Sequence, residues 1–457
     1  MLKKIILPFF LLCSLATFAQ SKSLTGETAA QKAARMKWFT DARFGMFIHW
    51  GLYALPARHE WVKQHERLTT EQYQKYFDNF DPDQFDPKKW AKEAKAAGMK
   101  YAVLTTKHHE GFCLFDSKYT DYKATNTQAK RDLVKEFVNA FRAEGIKIGF
   151  YYSLIDWHHP DFTIDRIHPQ RERAKDDWDP KEKRDSAYYT NLNKGKDMRR
   201  YQTYMKNQLT ELLTKYGKID ILWMDFSYPG AYGKGHNDWA STDLLKTVKK
   251  LQPQIIINNR LDLDDYKDGF DFETPEQVSP QDLLKYKGKY WETCQTFSGS
   301  WGYHRDEHSW KTQRQLLDLL VTSVANGGNL ILNVGPTARG EFDYRANSSL
   351  DSLSYWMHAH SKSIYNCTYP PDTFKLPADM NTRLTYNPNT RRLYVHLFNY
   401  PTNGKLTLPG YNGKVKYAQF LADNSEIQYA ASGDAIELKL PKQKPPYEVP
   451  VIELIIK

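Results

Sequence analysis

Carboxylates, imidazoles and large aromatics recur along this chain in short motifs placed just past apolar runs. The clearest is Ile219-Asp220-Ile221-Leu222-Trp223-Met224-Asp225-Phe226, where a buried strand gives way to an aromatic and then an acid. His49, the pair His108-His109, Asp156 before Trp157, Arg260, Glu276, Glu292 and Asn333 stand in comparable positions. One acid at a strand end ordinarily caps the next segment. So many ionisable groups converging on one face have no use in a packed core, and together they predict an active site.

The chemistry can be narrowed by residue type. Adjacent histidines suggest a metal, but neighbours on a strand point to opposite faces, and neither His-x-His nor His-Glu-x-x-His occurs. No cysteine stands near a histidine at ligand spacing, so neither a catalytic metal nor a cofactor is expected. There is no Gly-x-Ser-x-Gly elbow, and Cys113 and Cys294 sit in apolar or aromatic surroundings that raise a thiol's pKa. Gly327-Gly328 lacks the rest of a phosphate loop, and no dinucleotide fingerprint is present. What remains is carboxylates among aromatics and imidazoles, the equipment of glycoside hydrolysis. One carboxylate attacks the anomeric carbon while a second, held protonated, serves the leaving oxygen. Asp225 suits the first role; Glu273, Glu276 and Glu292 are candidates for the second.

The elements that must position these groups alternate. Strands are predicted at 44–51, 100–105, 146–152, from 219, and at 254–258, 270–273, 290–294 and 329–334. Helices are predicted at 31–39, 86–97, 132–144, 201–216, 244–251 and 310–325. Eight strands with helical crossovers predict a (β/α)8-like TIM barrel over residues 20–362. The charge-rich stretch 158–198 reads as a solvated loop or lid. Beyond it, 363–457 carries short alternating runs at 383–386, 392–399, 405–408, 415–421, 436–440 and 449–456, predicting an all-β sandwich.

The 457 residues carry 64 basic and 54 acidic side chains, and the net charge of +10 is dispersed, which argues against nucleic acid as partner. Aromatics make up 14% of the chain, with 12 Trp and 30 Tyr, a load that suits the stacking of sugar rings. Residues 1–19 read as a secretory signal, with Lys3 and Lys4 ahead of an apolar run to Phe18 and a cleavage site before Gln20. A periplasmic or extracellular protein is therefore expected, without a membrane anchor after cleavage. The three remaining cysteines, Cys113, Cys294 and Cys367, exclude a disulfide scaffold but allow one pair.

Several motifs taken together resemble the α-L-fucosidases of glycoside hydrolase family 29. They are 44–51 (FGMFIHWG), 107–112 (KHHEGF), Trp223-Met224-Asp225, Trp291-Glu292-Thr293-Cys294 leading to Ser300-Trp301-Gly302-Tyr303, and 326–336 (NGGNLILNVGP). The resemblance implies a barrel with a β-rich C-terminal domain and a retaining exo-glycosidase acting on fucosylated oligosaccharides or glycoconjugates. It implies Asp225 as nucleophile, His49, His108 and His109 on the sugar hydroxyls, and Glu60-Trp61 on the first βα loop. Tyr151, Trp223 and Arg260 resemble further pocket residues, and Trp301 falls where an aromatic meets the C6 methyl. The segment 271–276 resembles the one that supplies the acid/base in some bacterial members, which puts it at Glu276, with Glu292 of the Trp-Glu motif as the alternative. An exo-glycosidase for another sugar such as galactose, and a fucose-binding barrel without activity, are the competing functions.

Overall fold

The structure, a computed structural model, describes residues 22–171, 186–374 and 381–457. The predicted signal, residues 1–19, lies outside the described residues, and no helix among those described is long and apolar enough to cross a membrane.

Seven parallel strands form the first sheet: β1 (Phe44–Ile48), β2 (Tyr101–Lys107), β3 (Lys147–Ser153), β4 (Ile221–Asp225), β5 (Ile256–Ile257), β6 (Glu292–Thr296) and β7 (Asn329–Val334). Their order is β5-β4-β3-β2-β1-β7-β6. The ring closes through the segment predicted as a strand at 270–273, which makes only isolated parallel bridges, Asn258 with Phe272, Glu273 with Trp291 and Glu276 with Cys294. Pro275, which has no N–H to give, sits inside this segment and keeps it from forming a regular ladder. The result is a TIM-like barrel with one irregular stave, and Glu276 is carried on that stave.

Helices cover the outside. Pro87–Ala96 shows why: Asp86 accepts from the Lys88 and Lys89 amides at 2.9 and 3.1 Å, Pro87 fills the first turn, and Trp90, Ala91 and Ala94 face inward. Such a cap contributes about 1 kcal/mol. Helices at Thr70–Asp78 and Tyr344–His360 were not predicted; the second docks the C-terminal domain, its Trp356 indole donating to Val449 O at 2.7 Å.

Inside the barrel, Phe47, Tyr101, Val103, Tyr151, Ile221, Trp223, Cys294 and Ile331 pack as one cluster. Gly45 is required there, because a Cβ would come within 2.2 Å of the Tyr101 ring. That close approach lets Tyr101 fill the amino-terminal end of the barrel.

The C-terminal domain is two antiparallel sheets. Strands β8 (Thr382–Asn387), β9 (Arg392–Leu397), β11 (Val415–Phe420) and β14 (Val451–Ile456) form one in the order β11-β14-β9-β8. Strands β10 (Lys405–Leu408), β12 (Tyr429–Ser432) and β13 (Ala435–Lys439) form the other, with β13 central. The expected sandwich is present, with the unpredicted β12 at an edge.

Two expectations are corrected. Much of the described part of 158–198 is packed rather than solvated: Phe162, Ile164, Asp165, Ile167, His168 and Arg171 are all buried, and Asp165 pairs with Lys234 and Tyr228. Residues 172–185 of that stretch lie outside those described. Cys113, Cys294 and Cys367 are free and buried in separate places, so none of them pairs.

Candidate active site

A pocket opens at the carboxyl ends of the strands, lined by Phe47, His49, Glu60, Trp61, His108, His109, Tyr151, Trp223, Asp225, Phe226, Glu276, Cys294 and Trp301. Strand alternation explains much of this set. Phe47 and His49, and Trp223 and Asp225, are two residues apart and so share the inward face of their strands. Cys294 and Phe226 also line the pocket but were not predicted to; Cys294 was findable, since it lies two residues past Glu292 on β6.

Asp225 is the last residue of β4. Its Oδ2 accepts from the Tyr151 hydroxyl at 2.8 Å, and its Oδ1 lies 3.4 Å from Arg260 Nη1. Burial pushes its carboxyl up to about 6, against the opposing pull of Arg260. The same guanidinium places Nη2 at 2.9 Å from Glu276 Oε2, so one cation bridges the two carboxylates. Arg260 is itself held over the Trp223 ring, 5.2 Å from its centroid, and by the Thr274 hydroxyl at 3.0 Å. The next residue, Phe226, takes a left-handed φ of 81°, a strained conformation for a bulky side chain. It packs its ring on Trp61 and His109, at 5.4 and 5.2 Å between centroids.

The histidines meet differently from expectation. His108 and His109 do not diverge to opposite faces; both line the pocket, with ring centroids 4.1 Å apart. The register of β2 against β3 shifts between Thr105 and Lys107, and the strand ends at Lys107, so strict alternation no longer holds when the pair is reached. His109 Nε2 lies 3.9 Å from Asp225 Oδ2. His49 packs on Trp301 at 5.1 Å, and its Nδ1 meets Asn333 Oδ1 at 2.6 Å. Burial holds His49 down at about 3 and His108 and His109 well below the usual imidazole value, so all three rings are neutral.

Trp301 forms one wall and is fixed from two sides. Asn333 Nδ2 donates to its carbonyl at 2.7 Å, while Glu60 Oε2 accepts from the Gly302 amide at 2.8 Å and lies 3.3 Å from the Ser300 hydroxyl. Burial raises the Glu60 carboxyl to about 7. Trp61 is backed by Trp157 at 5.2 Å.

The remaining acids fall elsewhere. Glu292 is the first residue of β6, at the amino end of the barrel and not at the pocket. It is fully buried, takes the Tyr101 hydroxyl on Oε2 and meets Trp223 Nε1 at 3.4 Å; burial pushes it up to about 8. It therefore anchors neither Arg260 nor a histidine. Glu273 is paired with Lys289 at 2.7 Å, and Asp156 is buried against Lys107 at 3.0 Å, behind the pocket. No group of three or more His, Cys, Asp or Glu side chains among the described residues is arranged to hold a metal ion.

Two carboxylates over an aromatic floor, ringed by neutral imidazoles, can attack an acetal carbon and exchange a proton with its leaving oxygen. A family model for α-L-fucosidases matches residues 11–362. The chain belongs to glycoside hydrolase family 29, the α-L-fucosidases. The plasma α-L-fucosidase of Rattus norvegicus is 30% identical over 406 residues, 81% of this chain and 79% of its own. The structure of α-L-fucosidase isoenzyme 1 from Paenibacillus thiaminolyticus superposes with a TM-score of 0.82 at 44% identity, covering 93% of this chain and 99% of that one. A family 29 enzyme of Bacteroides thetaiotaomicron, 32% identical with a TM-score of 0.78 over 93% of this chain and 96% of its own, has been captured as a covalent intermediate with 2-fluoro-fucosyl fluoride.

Proposed function

We propose that this family 29 member is an exported, retaining exo-α-L-fucosidase that removes terminal α-L-fucosyl residues from glycans, with Asp225 as nucleophile and Glu276 as acid/base. The observation that carries this reading is the single guanidinium of Arg260 touching both carboxylates at the pocket. In the first step an Asp225 oxygen attacks the anomeric carbon as Glu276 passes its proton to the departing oxygen, leaving a fucosyl ester on Asp225. In the second step the Glu276 carboxylate takes a proton from water, the water oxygen attacks the same carbon, and Asp225 leaves with the bonding pair. Glu276 must leave its pair with Arg260 to be protonated for the first step, and as the sugar enters, Arg260 remains with the charge on Asp225. His49, His108 and His109 face the hydroxyls, and Trp301 gives an apolar wall to the C6 methyl.

The position of Glu292 beneath Trp223, out of the pocket, favours Glu276 over it. Activity of Asp225→Ala and Glu276→Ala on aryl α-L-fucosides tests the assignment. Asp225→Ala loses turnover with every leaving group, whereas Glu276→Ala keeps it where the leaving group needs no protonation and is rescued by azide. Release of β-fucose as the first product would refute retention. Comparing aryl fucoside with aryl galactoside tests the sugar; an apolar wall rejects an added hydroxyl by about 10²-fold. Export rests on residues 1–19, and a mature protein beginning at Gln20 is its test.

A further inference from the structure

We propose that Asn333 and Ser153 lock His49 and His109 as hydrogen-bond acceptors, so that the pocket selects a ligand presenting two hydroxyl hydrogens to these rings. The proposal deepens the fucosidase reading and rests on it for the ligand, but the lock itself follows from the hydrogen-bond network alone.

At His49 the argument begins with the Trp301 carbonyl. Asn333 lies 2.7 Å from this oxygen through Nδ2, which must donate. A flipped amide would set two oxygens against each other. The Asn333 Oδ1 therefore faces His49 Nδ1 at 2.6 Å and must accept, so the proton of this ring is on Nδ1. A neutral imidazole has one N–H, which leaves Nε2 as a bare acceptor. Asn333 is buried at the end of β7, with 1% of its surface exposed, so water does not compete for either contact.

At His109 the argument begins with the Ile155 carbonyl. The Ser153 hydroxyl donates its one hydrogen there at 2.8 Å. Its oxygen then meets His109 Nδ1 at 2.7 Å as acceptor, which again puts the ring proton on Nδ1. The bare Nε2 looks toward Asp225 Oδ2 across 3.9 Å, too far for a direct bond and with no proton to share. A donor hydroxyl entering beside these two acceptors finds a partner in either. Burial keeps both rings neutral and so preserves the lock. His108 has no such lock: its buried Nδ1 has no partner among the described residues.

A site built to receive a hydroxyl hydrogen rejects an analogue without it far more strongly than an apolar wall rejects an extra group. Fluorine makes the distinction, since it replaces the size and polarity of a hydroxyl but cannot donate. Asn333 and Ser153 are thus positioning residues for specificity, and Asn333 couples the histidine to the wall at Trp301.

Nitrogen NMR of the wild-type protein labelled in histidine reads the tautomers directly, without substrate. His49 and His109 are expected protonated at Nδ1; protonation of either at Nε2 overturns the proposal. Binding of L-fucose is then compared with its monodeoxy and monodeoxyfluoro analogues by calorimetry. At two ring positions the fluoro sugar should bind no better than the deoxy sugar, both at least tenfold weaker than fucose; fluorine that restores binding at every position refutes acceptor selection. Ser153→Ala should raise the fucoside KM about tenfold and release the His109 tautomer while leaving that of His49 unchanged. Asn333→Ser should do the reverse, and tautomers unmoved in both variants would refute the lock. Wild-type protein that binds fucose without hydrolysing any fucoside would refute the proposed activity and leave these readouts intact.

Discussion

Replacing Arg260 by Leu isolates the electrostatics of the nucleophile. Asp225 attacks only as a carboxylate, and burial has already raised its carboxyl to about 6, with Arg260 the chief opposing influence. At the 3.4 Å between Nη1 and Oδ1, two unit charges attract by about 5 kcal/mol at an effective dielectric of 20. Both side chains keep some contact with water, 22% and 14% of their surfaces, and an opposite charge at this range typically lowers a carboxyl by about 1–3 units. Removing it should move the acid limb of kcat/KM from about 6 to roughly 7–9. The sign is fixed: a higher pKa leaves less carboxylate at a given pH, so the variant loses activity on the acid side and recovers as pH rises. At pH 6 the loss is about 5- to 500-fold. The assay is the pH dependence of kcat/KM on an aryl α-L-fucoside whose leaving group departs unprotonated, so that the state of Glu276 does not limit the rate. Arg260→Lys, which keeps the charge, should hold the limb near its wild-type position. A limb that stays in place in Arg260→Leu, or moves equally in both variants, refutes the account of Asp225.

Glu292 titrates in the stability of the protein. Its folded value of about 8 lies above that of an unfolded glutamate, so its stabilising contribution is present at acid pH, below the unfolded value, and is lost as pH rises through 8. The loss amounts to as much as about 5 kcal/mol, and Glu292→Gln should flatten the fall in Tm between pH 5 and pH 9. Lys107→Met leaves Asp156 buried without its partner and should cost about 3–5 kcal/mol in urea unfolding, with Lys107→Met/Asp156→Leu recovering part of it. The Asp268 carboxylate accepts from Ser23 Oγ, the Leu24 and Thr25 amides and Thr25 Oγ1 at 2.6–2.7 Å, and these bonds hold it well below the usual range. Asp268→Ala should free residues 23–25, seen as faster amide exchange there, and lower stability by about 1–3 kcal/mol.

The residue types of the site were legible because they are local. Asp225, His49 and Trp301 sit in short motifs, and an acid at the end of an apolar strand needs no knowledge of the rest of the chain. Which way a group faces, and at what depth, is set by partners far away in sequence. Glu292 reads from the sequence like a strand-end acid, yet its pairing opposite Asn329 makes it the first residue of β6 and puts it under Trp223. His108 and His109 were expected to diverge, and a register shift against β3 brings them together. The strand at Tyr429–Ser432 escaped notice because it is a short edge strand with exposed alternate residues.

Ser153 and Asn333 show how register becomes chemistry. Each lies two residues beyond an interior residue of its strand, Tyr151 on β3 and Ile331 on β7, and so shares the inward face. Neither is acidic, basic or nucleophilic, so a search for reactive side chains passes over both. In the barrel, their small polar groups meet Nδ1 of His109 and His49, and that contact determines where each imidazole carries its proton. Reactivity at this pocket is thus divided between two kinds of position: strand ends that carry charge, readable from the sequence, and inward neighbours that set hydrogen-bond polarity, readable only once the strands are aligned. The orientation of the imidazoles toward a ligand belongs to the second kind.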